Sequence, residues 1–278
     1  MERKSKKVNV PLIVSTVIFL CGILGMGLYI YSINNEESSF KEIRKKKNNK
    51  SLNIEKDDSL NYYLINDEVV QEEFKDLYLE NSDIIGWIKI DDTPIDYPVM
   101  YTPNDYQFYI HKDFNKEYSF GGCLFAGEGT DIKTPDENIV IYGHHMANKS
   151  MFHELDGYAD KEYYKEHKYI KFDTLRQTGT YEVIAAFKTQ IYRENYEGFI
   201  YYNYTNMNKE SFEEYIDNIK NLSEYETDSS AKYGDQLITL STCAYHTYNG
   251  RFVVVAKRID GKEVDIEKEP IKIIKTTK

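Results

Sequence analysis

Cysteine is scarce: three in 278 residues, an odd number. That excludes a scaffold stapled together by disulfides. Six prolines and 15 glycines are too few for a collagen-like or disordered chain. Positive charge is in deficit, with 35 Lys and Arg against 46 Asp and Glu and a net charge of −11. A general nucleic-acid binder needs a basic surface that displaces counterions from phosphates, so no nucleic-acid partner is expected. What remains is an ordinary globular composition, 41% hydrophobic and 29% charged, long enough for one large or two small domains. The charge is unevenly spread. Residues 1–50 carry ten basic and four acidic side chains, net +6, and the remainder carries 25 against 42, net −17.

One long apolar run stands out. Val10 to Tyr31 is 22 residues without a charge. At about 1.5 Å per residue, such a helix crosses the roughly 30 Å hydrocarbon core of a bilayer. Arg3, Lys4, Lys6 and Lys7 precede it, so residues 1–9 are expected inside and the rest of the chain outside. A cleaved signal peptide would have a shorter apolar region and a small-residue cleavage site. Tyr29-Ile30-Tyr31-Ser32-Ile33 does not provide one, so an uncleaved single-pass anchor over 10–31 is expected. Residues 32–60 are polar and read as a stalk. Its basic cluster, Arg44, Lys45, Lys46, Lys47 and Lys50, either touches anionic polymer or headgroups or is simply solvated.

The outer part, 61–261, reads as mainly β with inserted helices. Residues 62–80 have the apolar spacing of an amphipathic helix. Strands are expected near Ile84–Ile90, Ile95–Met100, Cys123–Ala126, Ile139–Tyr142, Tyr169–Phe172, Tyr181–Tyr192, Gln236–Leu240 and Phe252–Ile259, from β-branched and aromatic content with alternation. Helices are expected over Ser150–Tyr158, Lys161–His167 and Lys209–Asn221. The lack of regular βα alternation points to a barrel or sandwich. Residues 262–278 read as a polar tail with one apolar patch.

Two cysteines fall outside the apolar run. Cys123 lies in an apolar strand-like stretch and suits the role of a small buried hydrophobe. Cys243 follows Leu237-Ile238-Thr239-Leu240, where a strand gives way to a polar loop. A disulfide between the two stays open at this point. A thiol nucleophile needs a base or a nearby cation. His111, His153 and His167 have charged neighbours and read as surface. His246 is three residues after Cys243. His144 and His145 follow the apolar strand 138–142 and Gly143, a residue that permits a sharp turn. Arg251 opens the strand after the Cys243 loop. If the two strands form a hairpin, Arg251 and Cys243 share one end, and the guanidinium can serve an oxyanion.

Thr239-Leu240-Ser241-Thr242-Cys243 resembles the TLxTC signature of sortases, the membrane-anchored cysteine transpeptidases of Gram-positive surfaces. Arg251 matches the family's arginine eight positions on. Ile141-Tyr142-Gly143-His144-His145-Met146 resembles the class B form of the histidine motif, and Ile85-Gly86-Trp87-Ile88 and Tyr97-Pro98-Val99 are similar to class B patterns. The resemblance spans roughly 79–261. It implies a closed eight-stranded β-barrel with added N-terminal helices and a long helix before the cysteine strand. It implies Cys243 as nucleophile, His144 as acid–base, and Arg251 as stabiliser of the tetrahedral intermediate. Tyr142, Ser241 and Thr242 would flank the substrate, and His145 would be dispensable. Some relatives carry an acid just after the cysteine. Ala244 and Tyr245 stand there in this chain, so no orienting carboxylate is assigned.

The implied reaction cleaves a C-terminal sorting signal of the NPxTx or SPxTG kind after Thr. The acyl group then passes to an amine of a peptidoglycan precursor. No metal or cofactor is implied. A hydrolytic cysteine peptidase would use the same residues, and a non-catalytic surface-binding module would need none of them.

Overall fold

The computed structural model describes residues 10–54, 62–130, 138–193, 195–244, 247–261 and 271–274. In chain order the elements are helix α1 (Val10–Ile54), strands β1 (Tyr62–Ile65) and β2 (Glu68–Gln71), helix α2 (Lys75–Glu80), and strands β3 (Ile84–Lys89), β4 (Asp96–Met100), β5 (Leu124–Ala126) and β6 (Asn138–Tyr142). Then come helix α3 (Lys161–Glu166), strands β7 (Tyr169–Thr174) and β8 (Thr180–Gln190), helix α4 (Lys209–Leu222), and strands β9 (Leu237–Cys243), β10 (Gly250–Asp260) and β11 (Ile271–Ile274).

Eight strands close a barrel in the order β10-β8-β7-β3-β4-β5-β6-β9, with β9 pairing back onto β10. They coincide with the eight stretches expected from β-branched alternation. Two neighbouring pairs, β4–β5 and β6–β9, are parallel. Alternation assigns the faces. On β10, Phe252, Val254 and Ala256 join the main core, and Val253 and Val255 turn the other way. That other face is covered by α4 through Phe212, Tyr215, Ile216 and Ile219, one stripe of the helix. Asn208 caps α4 by accepting the backbone N–H of Ser211.

Four expectations need correction. Residues 62–80 are not one helix. Asn66 and Asp67 both adopt positive φ (50° and 66°) and make a two-residue hairpin turn between β1 and β2; only 75–80 is α-helical. The stretch 32–54 is not a loose stalk but the continuation of α1. Phe40 and Ile43 are buried against the barrel, and Arg44 and Lys47 extend the same face. The basic cluster is largely spent on the protein itself. Arg44 Nε donates to the Asp96 carbonyl at 2.8 Å, Lys46 pairs with Glu80 at 2.7 Å, and Lys47 lies between Glu73 (3.4 Å) and Asp173 (3.7 Å). The side chain of Lys50 is outside the described residues. The C-terminal tail supplies β11, which pairs parallel with β1 from Ile271 to Ile274. Finally, the expected helix 150–158 is a 3-10 segment, His153–Ala159.

Candidate active site

The site begins with the parallel pairing of β6 and β9. Tyr142 lies opposite Ser241, and the Gly143 N–H donates to the Ser241 carbonyl at 3.1 Å. His144 therefore leaves its strand beside the end of β9. Cys243 is the last residue of β9, still paired, rather than a loop residue beyond it. Its partner across the antiparallel ladder is Arg251, so the two side chains share one face of the sheet.

Cys243, His144 and Arg251 line one cavity of about 360 Å³. Tyr142, Ser241 and Thr242 line it as well, so all six residues expected at the site converge. Tyr142 stacks on Phe125 at 5.6 Å, and burial pushes its phenol pKa far up. Ser241 shares a 2.7 Å hydrogen bond with the Tyr201 hydroxyl beneath the cavity. Thr242 is 1% exposed, and its Oγ1 has no partner among the described residues.

His144 is held from the side. The Ile110 carbonyl lies 2.9 Å from its Nε2; a carbonyl only accepts, so the neutral ring carries its proton there. The second proton is then taken at Nδ1. The ring stacks on His111 at 5.3 Å. Burial lowers the His144 pKa below the ordinary imidazole value of 6.5, against the Ile110 bond, and the charges of His111 and Arg251 add to the lowering. His145 faces elsewhere, with Nε2 at 2.8 Å from Asp156 and its ring against His153. His111, expected as a surface residue, is exposed and yet abuts His144. His246 and Tyr245 lie outside the described residues.

Gly143 is needed for a reason other than a turn. Its φ is not positive, but an added Cβ would lie 2.4 Å from Leu124 Cδ2 and 2.7 Å from Phe152 Cδ2. Gly143→Ala is expected to cost about 1–3 kcal/mol by overpacking, measured as a lower Tm, and to displace His144.

The three cysteines are free, which closes the disulfide question. Cys123 is buried, and its thiol pKa is pushed well up by desolvation. Among the described residues no three His, Cys, Asp or Glu side chains group as a metal site requires.

A sortase-domain model matches residues 88–259, within the span of this barrel and cavity. The chain belongs to the sortase family. These enzymes are cysteine transpeptidases, and its similarity is to the class B branch. Sortase B of Staphylococcus aureus is 33% identical over 69% of this chain and 77% of its own length. Sortase B of Listeria monocytogenes is 30% identical over 68% of this chain and 75% of its own. Among solved structures, a Staphylococcus aureus sortase B–substrate complex superposes with a TM-score of 0.70 at 27% identity, covering 82% of this chain and 98% of that one.

In this sortase, several lining residues escaped the sequence reading: Tyr106, Gln107, Ile110, Ile191 and Tyr202. They come from loops and short turns, carry no nucleophile, and recur at no spacing. The tyrosine-rich stretch 201–204 is the one local hint, since a buried tyrosine hydroxyl needs a partner.

Proposed function

We propose that this sortase is anchored by residues 10–31 and cleaves a sorting signal after Thr, passing the acyl group to an amine. The observation that carries the reading is the convergence of Cys243, His144 and Arg251 on one cavity. The anchor reading is supported by an apolar stretch in α1 with mean hydropathy 2.3, sufficient in length and composition for a span. The basic residues before it in the sequence support an orientation with the N-terminus inside and the barrel outside. The domain plan follows: anchor, docked helix, catalytic barrel, and a tail that returns to β1.

The chemistry follows from the residue types. Cys243 passes its proton to His144, and the thiolate attacks the Thr carbonyl carbon. Arg251 donates to the oxyanion that forms. The carbon–nitrogen bond breaks as His144 gives its proton to the leaving amine, and a thioester remains on Cys243. The acceptor amine attacks the thioester, loses a proton to His144, and expels the thiolate. Tyr142 and Phe125 offer an apolar wall to the peptide, with Ser241 and Thr242 beside it.

The test is mass spectrometry of the full chain with NPxTx- and SPxTG-type peptides and an amine acceptor. The reading requires a covalent adduct on Cys243 and a ligated product. Free acid alone would make the enzyme a hydrolytic peptidase. No adduct with any such peptide would remove the catalytic assignment.

The lowered pKa of His144 sets a pH dependence. The reactive pair works while it holds one proton between thiol and imidazole; below the His144 pKa it holds two. The acid limb of kcat/KM is therefore expected below pH 6.5, the ordinary imidazole value. The same shift acts on stability. The unfolded chain binds the proton first, so this contribution is lost as pH falls through and below that value. A kcat/KM profile with its acid midpoint above 6.5 would contradict the assignment.

A further inference from the structure

The loop between β4 and β5 touches α1 at a telling depth. Tyr29 is near the outer end of the uncharged run, and its ring packs edge-on against Phe120 at 5.6 Å. The Phe120 N–H donates to Glu36 Oε1 at 2.8 Å, a second tie between the loop and the helix. Phe120 in turn packs edge-on against Tyr118 at 5.4 Å. Both aromatic rings remain open, with Phe120 41% and Tyr118 63% exposed. α1 runs unbroken from Val10 to Ile54, so no hinge separates the apolar run from the part docked on the barrel.

We infer that Tyr118 and Phe120 seat in the outer headgroup–acyl interface of the bilayer, beside the point where α1 leaves it. The inference rests on the anchor reading above. A ring in contact with Tyr29 sits where the span ends, the level at which amphipathic aromatic side chains are favoured. The occupant is lipid in general, not anionic lipid. The surface next to the rings is acidic, with Glu36, Glu42, Asp113 and Glu117 around one recess. Insertion is thus apolar and aromatic in origin, and it proceeds in zwitterionic bilayers.

The position has a consequence for the substrate. Tyr118 stacks on His111 at 6.2 Å, and His111 stacks on His144 at 5.3 Å. The cavity therefore opens two ring contacts away from the interface. A substrate entering that cavity therefore does so close to the outer surface of the bilayer.

The test uses the full chain in phosphatidylcholine vesicles. Tyr118→Trp and Phe120→Trp each place a reporter in the loop; the parent, with its single buried Trp87, gives the baseline. Leu79→Trp is the distant control. Its neighbour Glu80 pairs with Lys46, which lies 17 residues along α1 from Tyr29, about 25 Å of helix. Lipids carrying a quencher high on the acyl chain are expected to remove most of the added emission at 118 and 120. Deep quenchers should remove less, and Leu79→Trp should be unaffected by either. If the 118 and 120 reporters stay unquenched while the protein resists an alkaline carbonate wash, the inference is overturned and the anchor stands. If the wash strips the protein from the vesicles, the anchor reading fails and the inference with it.

Discussion

Cys243→Ala is expected to abolish transpeptidation, with kcat/KM falling by about 10⁴-fold or more, as when an enzyme loses its nucleophile. No other thiol can replace it. Cys123 is 2% exposed and its pKa is pushed up by burial, and Cys21 lies in the apolar run of α1. The adduct expected with the parent must therefore vanish entirely instead of moving to a second site. Cys243 terminates β9 at partial exposure, so removing its sulfur leaves the ladder with β10 in place and the fold unchanged. Steady-state kinetics and intact-mass spectrometry measure the loss; an unaltered thermal melt shows that it is chemical. A variant that retained even a tenth of parental turnover would assign the nucleophile elsewhere.

Arg251→Lys is expected to lower kcat/KM by roughly 10²-fold, the usual cost of losing an oxyanion donor. Charge is kept, so the loss isolates geometry. The guanidinium is already aimed by its own backbone, with Nη1 donating to the Gly250 carbonyl at 2.9 Å. That bond holds one corner of the planar fork and leaves the others for the substrate. A lysine ammonium is a point charge on a flexible stem and cannot do both at once. The expected signature is a fall in kcat at little changed KM, because the developing charge exists only in the transition state. Arg251 also helps to depress the His144 pKa, and the retained charge of lysine should leave the acid limb of the pH profile where it was. Turnover near that of the parent would remove Arg251 from the reaction.

Some of this was legible because it is local. Ile139–Tyr142 and Phe252–Ala256 are short unbroken apolar runs rich in β-branched and aromatic residues, the mark of a strand buried on both faces. The hairpin that joins Cys243 to Arg251 is also local: seven residues separate them, and β9 and β10 pair directly. Other features were hidden in short-range conflicts. Val69 and Val70 fit an amphipathic helix as well as a strand, and the decision lay with the left-handed turn at Asn66-Asp67. The docked part of α1 hides its apolar face among lysines, because Phe40 and Ile43 are its only buried hydrophobic side chains among the described residues. Lys47 completes that face through its aliphatic stem and lies over the rings of Phe74 and Trp87.

The sequence by itself determined the eight strand segments of the barrel, the candidate nucleophile, the candidate base and the apolar run, since residue type and spacing along the chain are enough for each. Only the tertiary structure decided that β6 lies parallel to β9, bringing His144 to Cys243 across about a hundred residues. It also decided that Ile110 holds the His144 ring and that α1 rides on the barrel. Such pairings are set by which buried surfaces fit together, and that free energy belongs to the packed whole, not to any one segment.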